Sequence, residues 1–124
     1  MKIPGITNAF KAGGAIPARR ILKHGTANGE AVLAAAAGDS LIGVSTNVAS
    51  VAGATVDVVR TGLAEVEFGG AVTRGAAVTS DANGRAVAAA PAAGSNVRIL
   101  GFAEETCANG DIGTVLLSIG VMQG

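Results

Sequence analysis

The sequence predicts an all-β protein: one compact β-barrel or sandwich domain of about nine to ten short strands, built from two similar units. Three observations lead there. Asn-Gly pairs stand between apolar runs, glycine arrives every six to ten residues, and the chain repeats itself internally. The expected division is an extended N-terminal arm over residues 1–17 and a β domain over 18–124, with repeat units at 18–70 and 71–121.

Taken in chain order, the arm carries Ile3, Ile6 and Phe10 as apolar anchors, with Gly5, Gly13 and Gly14 between and after them. Such a segment can order on binding. Arg19 to Lys23 and Glu30 to Ala36 then flank Asn28-Gly29. Asn-Gly is the strongest short-range hairpin signal, because a type I′ turn needs positive φ at both central residues. Ala76 to Ser80 and Arg85 to Ala89 flank Asn83-Gly84 in the same way. Ala64-Glu65-Val66-Glu67-Phe68 alternates with period two, which reads as a half-buried strand. Val56-Asp57-Val58 and Val97-Arg98-Ile99 repeat that pattern briefly.

One segment, Glu30 to Ala37, has helical composition, but a helix of about eight residues is marginal alone. Its counterpart in the repeat contains Pro91, which a helix interior rejects, so both are predicted as strands. Glu104 to Ala108 is expected to form at most one helical turn.

The repeat rests on ordered matches. Thr26 to Ala34 parallels Asp81 to Ala89 at an offset of 55, and Leu41-Ile42-Gly43 parallels Ile99-Leu100-Gly101 at 58. Val58 to Gly62 matches Leu116 to Gly120 at 58 as well, so an insertion near Pro91 to Gly94 accounts for the slip.

Composition narrows the function. Of 124 residues, 26 are Ala and 19 Gly, against three Phe and no Trp or Tyr. Such small side chains bury little apolar area, so burial against further subunits is expected to complete the core. Nine basic residues balance nine acidic ones, which argues against a general nucleic-acid or membrane-surface binder. A lone Cys and a lone His can form neither an internal disulfide nor a structural zinc site. Mean hydropathy is +0.50, yet the apolar stretch from Ile112 to Met122 is about half a membrane helix. The start of the chain shows no secretory signal pattern, so a soluble protein made in a reducing cytoplasm is expected.

The search for chemistry yields little. His24 and Cys107 could pair as base and nucleophile, but no local signature surrounds either. Cys107 reads as a small buried residue in place of Ala49. Glu65 and Glu67 share a strand face at roughly 6–7 Å, a spacing that serves carboxylate chemistry when a pocket surrounds it. A solvated face or a subunit contact explains them better. Asp81-Ala82-Asn83-Gly84 resembles part of a calcium loop but lacks the final Glu, Ala92 standing there. Arg19, Arg20, Lys23 and His24 form the one basic cluster, without the interleaved aromatics that stack on single strands. Lipoyl-type carriers present a Lys at a hairpin tip, where this chain has Asn. No catalytic, cofactor or metal residues are assigned.

The run Ala12-Gly13-Gly14-Ala15-Ile16-Pro17-Ala18-Arg19-Arg20-Ile21-Leu22-Lys23 resembles the opening of tailed-phage capsid cement, or head decoration, proteins. Val72 to Val87 is the closest match, and the order Gly43-Val44, Val56 to Gly62, Ile99 to Glu104 and Val115 to Leu117 follows the family. The similarity spans roughly residues 12–121.

That resemblance implies a non-enzymatic virion protein that decorates the outer capsid surface, commonly as a homotrimer, and stabilises the expanded shell by binding the major capsid protein. It implies assembly in the host cytoplasm, with no cofactor, nucleic-acid or membrane contact. Ile3, Ile6, Phe10, Lys11, Arg19 and Arg20 are the expected capsid-binding residues. Removing residues 1–12 is expected to abolish attachment and leave the fold intact. Another virion β module, from a tail or baseplate, and a small accessory enzyme domain are the alternatives.

Overall fold

A computed structural model describes residues 2–124. Eleven strands are formed, β1 (Ile3–Pro4), β2 (Thr7–Ala12), β3 (Ile21–His24), β4 (Glu30–Leu33), β5 (Leu41–Ser45), β6 (Thr55–Val59), β7 (Gly62–Glu67), β8 (Ala77–Ser80), β9 (Ala86–Ala88), β10 (Asn96–Ala103) and β11 (Ile112–Gln123). The expected all-β class is found, with eleven strands in place of nine or ten. No helix occurs among the described residues, and Glu104 to Ala108 is bend and bridge. Strands β2, β4, β3, β5 and β6 close into a barrel, while β1, β7, β11, β10, β8 and β9 make a six-stranded sheet.

The two halves share one hydrogen-bonding plan. In the barrel β2 runs antiparallel to β6 and parallel to β4. In the sheet β7 runs antiparallel to β11, and Phe68, just past its end, makes a single parallel bridge to Ala86 of β9. The bridge Ile16–Ser50 recurs as Val72–Cys107. Gly13 N–H donates to Ala31 O at 2.9 Å, and Gly69 N–H to Ala86 O at 2.8 Å. Gly53 N–H reaches Ala12 O as Gly110 N–H reaches Phe68 O, both at 2.8 Å. Strand for strand, β2 to β6 answers to β7 to β11. These equivalences divide the chain after Val59, not between residues 70 and 71, and make Ser50 the backbone counterpart of Cys107.

Residues 2–17, the described part of the expected extended arm, are therefore built into the fold. Residues 3–4 pair with Leu63 and Gly62 of β7, and residues 7–11 pair with Val59 to Thr55 of β6. The cause is the barrel itself: without β2, strands β4 and β6 would each present an unpaired edge. Ala12 and Ile16 are buried in the barrel interior, which ties the segment down by side chain as well as backbone.

The Asn-Gly hairpins form, but not with type I′ turns. Gly29 and Gly84 have φ of +75° and +70°, whereas Asn28 and Asn83 stay negative, since Arg19 is the one non-glycine with positive φ among the described residues. Five residues separate the strands at each tip, so the two-residue turn is not needed. At the second tip the Asp81 carboxylate accepts from the N–H groups of Asn83 and Arg85 at 2.8 and 2.9 Å. The loop is thus fixed by its own side chain.

Two apolar clusters fill the molecule. Ala12, Ile16, Leu22, Ala31, Ile42, Val56 and Val58 pack inside the barrel, against half-buried Phe10 and Leu33. The larger cluster joins Ile21, Val44 and Val59 of the barrel to Val66, Phe68, Leu100 and Val115 of the sheet. Phe68 is the one fully buried aromatic, and the remaining large buried side chains are aliphatic. Small residues let backbones approach closely: a Cβ on Gly43 would run into Val59 O, and one on Gly101 into Leu116 O. These glycines hold equivalent places in the two halves.

Candidate functional site

The basic cluster and the paired carboxylates of β7 meet at the seam between the halves. Glu67 N–H donates to Arg19 O at 2.9 Å, which brings the segment before β3 against the free edge of β7. Arg20 Nη2 then lies 3.4 Å from both oxygens of Glu67, and its Nη1 donates to Asn83 O at 3.0 Å. Arg85 Nη1 approaches the same carboxylate at 3.9 Å, and its Nε donates to Asp81 at 3.3 Å. Arg19 Nε stands 3.9 Å from Glu65 Oε1. Neither acid faces a second carboxylate across a pocket, so the spacing of Glu65 and Glu67 serves ion pairing at this seam. Arg20 is engaged within the chain, and its availability to a partner is correspondingly small.

Beside Arg19 lies a small open cavity of ≈ 150 Å³, lined by Lys2, Ser45, Thr46, Asn47, Val59, Ala64 and Glu65 together with the arginine. The Ser45 hydroxyl there is already committed, donating to Pro17 O at 2.8 Å and accepting from Arg20 N–H at 3.0 Å.

His24 and Cys107 are not brought together. His24 is exposed on β3, its ring edge-on to Phe10 with centroids 6.4 Å apart. Cys107 is buried in the other half, bridged to Val72 and packed where a Cβ on Gly113 would strike its Sγ. Burial raises its pKa, and the charges of Glu105 and Asp111 raise it further. Raised pKa disfavours the thiolate and hence nucleophilic attack. Lys23 pairs with Asp39 at 3.4 Å. No group of three or more metal-binding side chains forms among the described residues, and no helix is long and apolar enough to cross a membrane.

The expected partner-binding residues fall into two sets. Ile3 and Ile6 project outward, 56% and 63% exposed, although their backbone is held by β7 and Thr61. Lys11 is exposed too, while Phe10 is half-buried beneath the Arg60 guanidinium, 5.4 Å from the ring centre. Arg19 and Arg20 belong to the seam.

The structure adds a feature the sequence did not disclose. Ile3 lies opposite Leu63, Leu63 opposite Leu116, and Leu116 opposite Phe102, so four apolar residues form one row across β1, β7, β11 and β10. Directly opposed residues share a sheet face. Leu116 and Phe102 are 42% and 39% exposed, and Ile112 lies on the same face of β11 beyond buried Thr114. An exposed apolar row of this kind is a candidate interaction face. The alternation of β11 was the available signal, but only the register shows that four strands contribute.

The molecule thus pairs two β units across an ion-paired seam and carries an exposed apolar row on its six-stranded sheet. The chain belongs to the phage cement protein family, whose model matches residues 4–119. It is accordingly a virion structural protein of the capsid-decorating class. The crystal structure of the head fiber gp8.5 N base in bacteriophage phi29 has a similar fold, with a TM-score of 0.68 and 19% identity over 91% of this chain and 93% of that one. No curated protein matches the chain.

Proposed function

We propose that the chain decorates the outside of a tailed-phage capsid and holds the expanded shell together by binding the major capsid protein, as a homotrimer and without catalysis. The family supports the capsid role, and the apolar row from Ile3 to Phe102 is the observation that carries partner binding. Ile3 and Ile6 present side chains from a segment whose backbone is already ordered, so docking them costs less conformational entropy than ordering a free arm. Each copy needs only a modest contact, because an icosahedral shell repeats it many times and multivalent display multiplies weak interfaces. Lys11 is exposed on β2, whereas Phe10 packs against the barrel cluster and offers a partner only its outer edge. Assembly takes place in the host cytoplasm, and nucleic acid and membrane are not partners.

The test is co-sedimentation with purified heads. Wild-type protein is expected to pellet with expanded heads and not with compact precursors. A double Ile3→Ser, Leu116→Ser variant, folded by circular dichroism, is expected to remain in the supernatant. Full occupancy by that variant, or equal binding to precursors, would sink the reading.

A further inference from the structure

We propose that the cavity beside Arg19 is a receptor for a single carboxylate, supplied by an acidic side chain of the partner protein. The inference rests on the capsid-binding reading for its partner, and on the following geometry for its chemistry.

The backbone at Arg19 is left-handed, with φ of +55°. Arg19 N–H donates to Thr46 O at 3.0 Å, as Gly75 N–H donates to Ala103 O at 2.7 Å in the other half. The equivalent position is thus Gly75, with φ of +90°, where a left-handed residue carries no steric penalty. The barrel half places a long cation where the same plan elsewhere uses glycine. Strain held at one residue is an indication of function when the side chain leads somewhere, and this one leads into a cavity.

The charges there select the ligand. Among the described residues that line the ≈ 150 Å³, Lys2 and Arg19 are the cations and Glu65 the acid. Arg19 Nε is enclosed, and its 3.9 Å separation from Glu65 Oε1 exceeds hydrogen-bond reach. The intramolecular acid therefore leaves Nε without a hydrogen bond. A monoanion meets less repulsion from the Glu65 carboxylate than a phosphate dianion would. Thr46 and Asn47 supply neutral polar groups at the rim. Exposed Ile3 and Val48, next in sequence to Lys2 and Asn47, give apolar surface for the rest of an acidic segment.

The test uses the full chain and N-acetyl-glutamate N-methylamide as probe, followed by backbone amide NMR shifts. Saturable shifts at Thr46, Asn47, Ala64 and Glu65 are expected, and inorganic phosphate at matched ionic strength should not reproduce them. Arg19→Gly fits the left-handed backbone, so it is expected to fold with an unchanged or higher Tm while binding the probe at least about tenfold more weakly. Arg19→Lys is expected to bind between the two. On expanded heads, Arg19→Gly is expected to lose about tenfold in affinity. Non-saturating shifts, or equal binding by Arg19→Gly, would overturn the receptor whatever the heads show. Undiminished head binding by an Arg19→Gly variant that has lost the probe would overturn the assignment of the partner. Wild-type protein that binds the probe but no heads would remove the capsid reading and keep the carboxylate site.

Discussion

Arg20 and Glu67 face one another across the seam of the two halves, one guanidinium nitrogen 3.4 Å from each carboxylate oxygen. They are 47 residues apart in sequence, and with Arg85 they place two cations around one acid. The three side chains are only 19–27% exposed, so the pairing is less screened than a fully exposed ion pair.

Glu67→Gln keeps the shape and removes the charge that both arginines share. The expected loss is about 1–2 kcal/mol, since two half-buried cations then lack their acid. Chemical denaturation checks it. The difference from wild type should shrink in 1 M salt, and a salt-independent difference would mean that packing, not charge, holds the seam.

Gly101→Ala forces a Cβ against the backbone carbonyl of Leu116, which cannot rotate away. A loss of about 1–3 kcal/mol is expected, in the range for overpacking. Gly14→Ala is the control, because a Cβ there meets nothing within 4 Å. Thermal melts of the two variants should separate clearly, and equal Tm values would refute the close approach.

Asp39 gives a pH dependence with a definite sign. Burial alone would raise its pKa, but the Ala35 N–H, the charge and hydrogen bond of Lys23, and the Ala36 N–H outweigh it and hold the group below its ordinary value. A depressed folded-state pKa contributes stability above the unfolded value and loses it as pH falls through the folded one. Asp39→Asn is expected to cost stability at pH 7 and to cost progressively less through the acid range. A constant difference from pH 7 downward would contradict this linkage.

Cys107 combines burial with two nearby acids, so its thiolate is scarce and shielded. Labelling by an aromatic disulfide reagent at pH 8 should be far slower in the native protein than in denaturant, by roughly a hundredfold or more given exclusion of the reagent. Comparable rates would show that the sheet half opens locally.

Those features differ in how far the sequence discloses them. The Asn-Gly tips and the alternation of Ala64 to Phe68 are local signals, and strands form there. Strand β2 gave no such signal. Thr7 to Lys11 is largely exposed, and its partners Thr55 to Val59 lie about 50 residues away with no turn between to fix register. The repeat held the missing clue, since Ile16 and Val72 occupy equivalent bridges, but Ala12 and Phe68 are too unlike to align by eye. Arg19 read as part of a basic patch because ion pairs to β7 depend on tertiary placement. Its alignment with Gly75 would have exposed the left-handed backbone.

The N-terminal segment is held by two ladders in series. β1 offers only two residue pairs to β7, and β2 behind it is bound on both sides, by five pairs to β6 and by β4. A tug on the first residues meets the short ladder first and tears it without breaching the barrel. The next ladder must be sheared whole, and its loss opens the domain. Under a load applied at the N-terminus the short ladder is thus expected to part before the pairing that closes the barrel.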